Sequence, residues 1–96
     1  MITWVIYDIV SNKTRNKVIR VCKDAGLHRV QKSVFLGDIV ENVFDEIQIK
    51  IKDIINLNTD SVYVFTMTKK ELQMAGLIGQ AFDKKYVTNE IIAKFF

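Results

Sequence analysis

Residues 3–15 read TWVIYDIVSNKTR, an apolar run that ends on Asp8 and turns polar and basic, with Arg15 and then Lys17 close behind. A carboxylate at the end of such a run has two ordinary uses. It caps a turn or a helix start, where the helix dipole favours negative charge, or it gives Mg²⁺ an oxygen ligand and so holds the ion over a phosphate. Hydrolysis of a phosphodiester needs such a metal together with cations that offset the charge developing on the phosphate oxygens. Arg15 and Arg29 suit the second task, since a guanidinium meets a phosphate with a planar fork of donors. Their plain alternative is solubility or, for Arg29, an ion pair across a sheet. A single carboxylate is a poor metal site. Asp38 and Glu41 are the nearest further candidates along the chain, and a dimer axis passing close to Asp8 would instead bring two copies of it together. Tyr7 and Phe35 carry faces that stack on bases, although aromatics in strands more often fill a core, and Phe35 is assigned there. Cys22, the only cysteine, has no Cys or His neighbour at metal-ligand spacing and reads as a buried thiol. One cysteine permits no internal disulfide, so a reducing cytoplasm is the expected compartment.

The elements that position these residues follow from the period of the apolar pattern. Residues 2–10 are dense in β-branched and aromatic side chains and read as a buried strand. Thr14, Val18, Val21, Cys22 and Ala25 then form one helical stripe. Ser11 or Asn12 can cap its start, and Gly26 supplies the left-handed stop. Residues 27–39, LHRVQKSVFLGDI, are again β-rich but long for one strand. Either a sharp turn near Gln31, Lys32 and Ser33 divides them into two antiparallel strands, or they form one bulged strand. Val40, Val43, Phe44, Ile47, Ile51, Ile54 and Ile55 make a second helical stripe, which outweighs the strand-like alternation of Ile47, Ile49 and Ile51. Residues 56–60 end that helix, and SVYVFTMT (61–68) is a strand. The order βαββαβ predicts an α+β, ferredoxin-like sandwich, with two helices on one face of a four-stranded antiparallel sheet.

The 96 residues contain no proline, no Gly/Ser linker and no repeat, and are read as one domain, with 1–68 as the βαββαβ core. Residues 69–96 hold two more apolar segments, at 74–82 and 91–96. They are expected to form a C-terminal dimerisation segment, in which an extra strand is exchanged with or added to a sheet edge of a second copy. Charge is uneven along the chain. Residues 1–35 carry seven Lys or Arg against two acids, while residues 36–60 carry two against six. A sided molecule with one face suited to phosphate is implied, although solvated helix faces would give the same count. No apolar run reaches the roughly 20 residues of a membrane helix, so no membrane partner is expected.

The segments VIYDI with Arg15 after it, and GLHRVQKSVFLGDI, resemble the small CRISPR-associated adaptation proteins, a family known as CRISPR-associated endoribonucleases. The resemblance runs through about residues 2–68, and the Gly-Leu-x-Arg-Val-Gln-x-Ser-Val-Phe stretch is its most specific part. It implies a ferredoxin-like homodimer that works with the adaptation integrase in spacer acquisition, and a metal-dependent nuclease, with Mg²⁺ or another divalent ion, on single-stranded RNA or double-stranded DNA. By position it makes Asp8 the metal-binding aspartate and assigns functional roles to Tyr7, Arg15, Arg29 and Phe35. Asp8, Arg15 and Arg29 are thereby the catalytic candidates. Tyr7, Arg15, Lys17, Arg29 and Lys32 are the candidates for nucleic-acid binding. Lys17 stands where some members have arginine and keeps the charge without the bidentate geometry. Lys32 stands where many have tyrosine and adds a charge near the turn. His28 occupies a variable place in the motif, so a role as general acid or base is not assigned to it. A non-catalytic adaptor that holds duplex DNA and docks the integrase would use the same residues. A ferredoxin-like toxin or RNA-binding module is the alternative outside the family.

Overall fold

A computed structural model describes residues 1–87 of the chain. Its elements run β1 (Ile2–Asp8), α1 (Asn12–Asp24), β2 (His28–Gln31), β3 (Val34–Asp38), α2 (Glu41–Ile54), β4 (Ser61–Met67), then two short helices, α3 (Lys69–Met74) and α4 (Lys84–Tyr86). The strands form one sheet in the order β2-β3-β1-β4, every neighbour antiparallel. This is the expected sandwich, and residues 27–39 resolve as the hairpin. A register shift between Arg29 and Gln31 places a bulge just before its two-residue turn, Lys32 and Ser33. Both sequence alternatives therefore hold a part of the answer: the segment turns, and it bulges.

β1 is one of the two interior strands and is covered on both faces. Its odd residues Val5 and Tyr7 join Val18 and Cys22 of α1, Ile47 and Ile51 of α2, and Phe35 in the larger core. The α1 stripe thus buries as its spacing predicts, with Gly26 at φ +94° ending the turn after it. Cys22 is fully buried, and burial pushes its thiol up to about 12. In α2 the helical period wins: Ile47 and Ile51 are buried, and Ile49 is exposed to solvent. The even residues Ile2 and Trp4 point to the other face and pack with Leu36, Leu72 and Val87.

That second core corrects the expected course of residues 69–87. No strand forms there. Thr68 and Glu71 close a reciprocal capping box at the start of α3, and Leu72 is carried into full burial beneath the sheet. Phe82 lies tilted against the Trp4 ring at 5.6 Å, while the Lys84 ammonium donates to the Gln73 and Ala75 carbonyls at 2.6 and 2.9 Å. A strand at 74–82 loses because Trp4 and Leu36 present a large apolar surface that this segment covers within its own chain. Residues 91–96 lie outside the described residues. The cover is partial: Tyr63 remains 65% exposed and Phe65 38% exposed on the same face. Phe65 stacks on Trp4 at 6.1 Å with the rings within 10° of parallel. β4 is also a sheet edge.

Candidate metal-binding and nucleic-acid site

Asp8 ends β1 opposite Ser61 of β4 and is exposed. By the pleat it belongs to the face of Trp4 and Ile6. Its carboxylate enters no hydrogen bond or ion pair with a described residue, although it lines one cleft together with Ile9, Arg15, Lys32 and Ser33. The local work open to a strand-end aspartate is done by others. Ser11 caps α1, its Oγ accepting from the Thr14 amide at 3.4 Å. The loop after β1 is closed from the far end of the chain by Asp60, whose Oδ1 accepts from the Val10 amide at 3.1 Å and Oδ2 from the Asn56 amide at 3.0 Å. Those backbone donors hold the Asp60 carboxyl below the ordinary range. Asp60 was not singled out in the sequence; its signal was an Asx residue closing the polar run 56–60.

Of the two arginines Arg15 lines the cleft and Arg29 does not, and both are engaged with backbone. Arg15 donates through Nη2 to the Ile9 carbonyl at 2.7 Å and through Nη1 to the Asn12 side chain. Arg29 donates through Nε and Nη2 to one acceptor, the Lys32 carbonyl, at 3.1 and 2.6 Å. The Tyr7 hydroxyl reaches the same carbonyl at 3.0 Å. Tyr7 is 3% exposed, its ring lying 6.3 Å from that of Phe35. The expectation that Tyr7 stacks on nucleic acid is therefore corrected, because the ring faces are inside the core. Burial also raises the Tyr7 phenol above its usual value, with Arg29 opposing the shift. Phe35 is fully buried, as assigned. Lys17, Arg29, Lys32 and His28 are exposed.

Asp38 and Glu41 do not reach this site. Asp38 is paired with Ile2 at the opposite end of β1, roughly 20 Å from Asp8 at about 3.3 Å per residue, and its carboxylate accepts from the Met1 ammonium at 2.6 Å. Glu41 starts α2 at that same far end. Among the described residues no group of three or more His, Cys, Asp or Glu is placed to hold a metal ion. Among the described residues this cleft thus offers a divalent ion one carboxylate, unengaged, which fits half of a site.

The family model for CRISPR associated protein Cas2 matches residues 1–75. The chain belongs to the Cas2 family. A CRISPR-associated endoribonuclease Cas2 of Desulforudis audaxviator is 38% identical over 78 residues, covering 81% of this chain and 74% of that protein. A Cas2 of the same description from Korarchaeum cryptofilum is 35% identical over 77 residues, covering 79% of this chain and 82% of its own length. The crystal structure of Streptococcus pyogenes Cas2 at pH 6.5 superposes with a TM-score of 0.71 at 28% identity, over 82% of this chain and all (100%) of that one. A hypothetical protein of Thermus thermophilus, 23% identical with a TM-score of 0.68, shares the fold over 81% of this chain and 89% of its own. The matched span of this Cas2-family chain takes in β1, α1 and the hairpin, hence every residue lining the Asp8 cleft. No helix among the described residues is long and apolar enough to cross a membrane.

Proposed function

We propose that this Cas2-family chain acts as a homodimer in CRISPR adaptation, together with the adaptation integrase, and that the dimer is a metal-dependent endonuclease on RNA or double-stranded DNA. The observation that carries the reading is the unengaged Asp8 carboxylate, set on the same sheet face as the exposed rings of Tyr63 and Phe65. A second copy covering that apolar face and the open edge of β4 would bring two Asp8 carboxylates towards each other. Two carboxylates and water would hold one Mg²⁺, which supplies charge neutralisation at the phosphate and a more acidic bound water. The endoribonuclease names of the relatives support nuclease activity in general.

The non-catalytic adaptor is the second reading, favoured by the exposed basic residues Lys13, Lys17, Arg20 and Lys23 of α1, which suit a phosphate backbone without any chemistry. One comparison separates the two. Wild type and Asp8→Asn are incubated with single-stranded RNA and duplex DNA, in Mg²⁺ and in EDTA, and their sedimentation is followed. The nuclease reading expects cleavage by wild type in Mg²⁺ alone, none by the variant, and an intact dimer in both. Equal cleavage by the variant would remove Asp8 from the chemistry. A wild type that cleaves nothing with any divalent ion would leave the adaptor.

A further inference from the structure

Three donors converge on the Lys32 carbonyl, two from Arg29 and one from Tyr7, and the next carbonyl, of Ser33, accepts from the Tyr7 amide at 3.1 Å. A two-residue turn at the tip of a bulged hairpin is ordinarily among the least protected parts of a fold. Here its central peptide is fixed from the core side by a buried phenol and from the surface side by a guanidinium. The fork edge that Arg29 turns to this carbonyl is the edge with which an arginine would meet a phosphate bidentately. Lys32, whose own carbonyl is held, lines the Asp8 cleft, and its ammonium has no partner among the described residues.

We infer that Lys32 is the side chain of this turn that contacts a nucleic-acid phosphate beside Asp8, and that Arg29 and Tyr7 are positioning residues acting on that contact through the Lys32 carbonyl. Lysine is a compact charge on a flexible stem, so fixing the backbone from which the stem departs lowers the ordering cost of placing the charge. The ligand chemistry is the phosphodiester backbone, whether of duplex DNA or of single-stranded RNA. The inference rests on the cleft being a nucleic-acid site and is independent of cleavage.

The test is a double-mutant cycle read by fluorescence anisotropy in EDTA, with the full chain titrated against a duplex DNA and a single-stranded RNA over a range of salt. Lys32→Met is expected to weaken binding several-fold and to reduce the salt slope by about 0.9 on duplex or about 0.7 on a single strand for each copy of Lys32 in contact, the signature of a lost phosphate contact. Arg29→Ala and the milder Tyr7→Phe should each weaken binding when Lys32 is present and change nothing in the Lys32→Met background. Arg29→Lys, which restores charge without the fork, should not rescue. A further loss of slope on adding Arg29→Ala to Lys32→Met would make Arg29 itself the phosphate contact and overturn the inference. So would unchanged affinity and slope for Lys32→Met on both nucleic acids, or a wild type that binds neither. The nuclease reading fails on a different result, Mg²⁺-dependent cleavage by Asp8→Asn, and the cycle in EDTA is indifferent to it.

Discussion

Tyr7→Phe removes one oxygen from the molecule and nothing else. The ring stays against Phe35 in the larger core, so no cavity opens. The lost bond runs 3.0 Å from the hydroxyl to the Lys32 carbonyl, and the acceptor keeps two donors from Arg29. A typical intramolecular hydrogen bond contributes about 0.5–1.5 kcal/mol net. Because the carbonyl is not left unsatisfied, the lower half of that range applies, about 0.5–1 kcal/mol. For a domain of this size that is roughly 2–8 °C in melting temperature at neutral pH. The alkaline limb carries a second signature. Burial raises the Tyr7 phenol in the folded state, so the folded chain keeps a proton that the unfolded chain loses. The stability linked to that proton is fully present below the unfolded value near 10 and is lost as pH rises through the higher folded value. Wild type should therefore lose its advantage over Tyr7→Phe above about pH 10. Tyr63 and Tyr86, both exposed, are common to the two proteins and cancel in the difference. Thermal melts from pH 6 to 11, followed by far-ultraviolet circular dichroism, give the curve. Identical melting at neutral pH with parallel alkaline limbs would refute the bond to the turn.

Asp60→Asn should flatten the acid limb. The Asp60 carboxyl is held low by the Val10 and Asn56 amides, so its contribution is present above the unfolded value near 3.9 and disappears as pH falls through the lower folded value. Wild type and variant should converge in acid melts, and parallel limbs would show that the clamp carries no charge-dependent stability. Gly37→Ala should destabilise by about 1–3 kcal/mol through overpacking, because an added Cβ would stand 3.0 Å from Leu27 Cδ2 and 3.2 Å from the Gly26 carbonyl and Leu27 Cα. Urea unfolding measures it, and an unchanged midpoint would mean that the Gly26–Leu27 backbone yields freely.

The sheet and its helical cover were legible because each rests on a local period. Val18 and Cys22, or Ile47 and Ile51, lie one helical turn apart and can only share a face. The C-terminal segment was not legible in the same way. Its apolar residues Leu72, Phe82 and Val87 keep no single period, and their partner surface, Trp4 and Leu36, is set by strands far away in sequence. Asp8 is a candidate by its place at a strand end, and the structure adds that Ser11 and Asp60 relieve it of local duty, Asp60 from 52 positions later. Arg15 and Arg29 were identified as cations suited to phosphate, but a guanidinium donates equally well to a carbonyl, and only the geometry of the loops shows which acceptor it meets.

Of the two interior strands, β1 is the last to be enclosed. β1 lies between β3 and β4, so a chain emerging from the ribosome carries Ile2–Asp8 with no neighbour until residue 38 has been made, and with one open flank until residue 67. The loop that follows it is likewise clamped only when Asp60 arrives. Pairings of such long sequence separation form late and slowly. The Asp8 cleft is lined from β1, α1 and the hairpin turn, so a fragment that ends before β3 contains every residue of the cleft and has no β1–β3 pairing to hold them together. The apolar run of β1 is the stretch with the longest need of protection during synthesis.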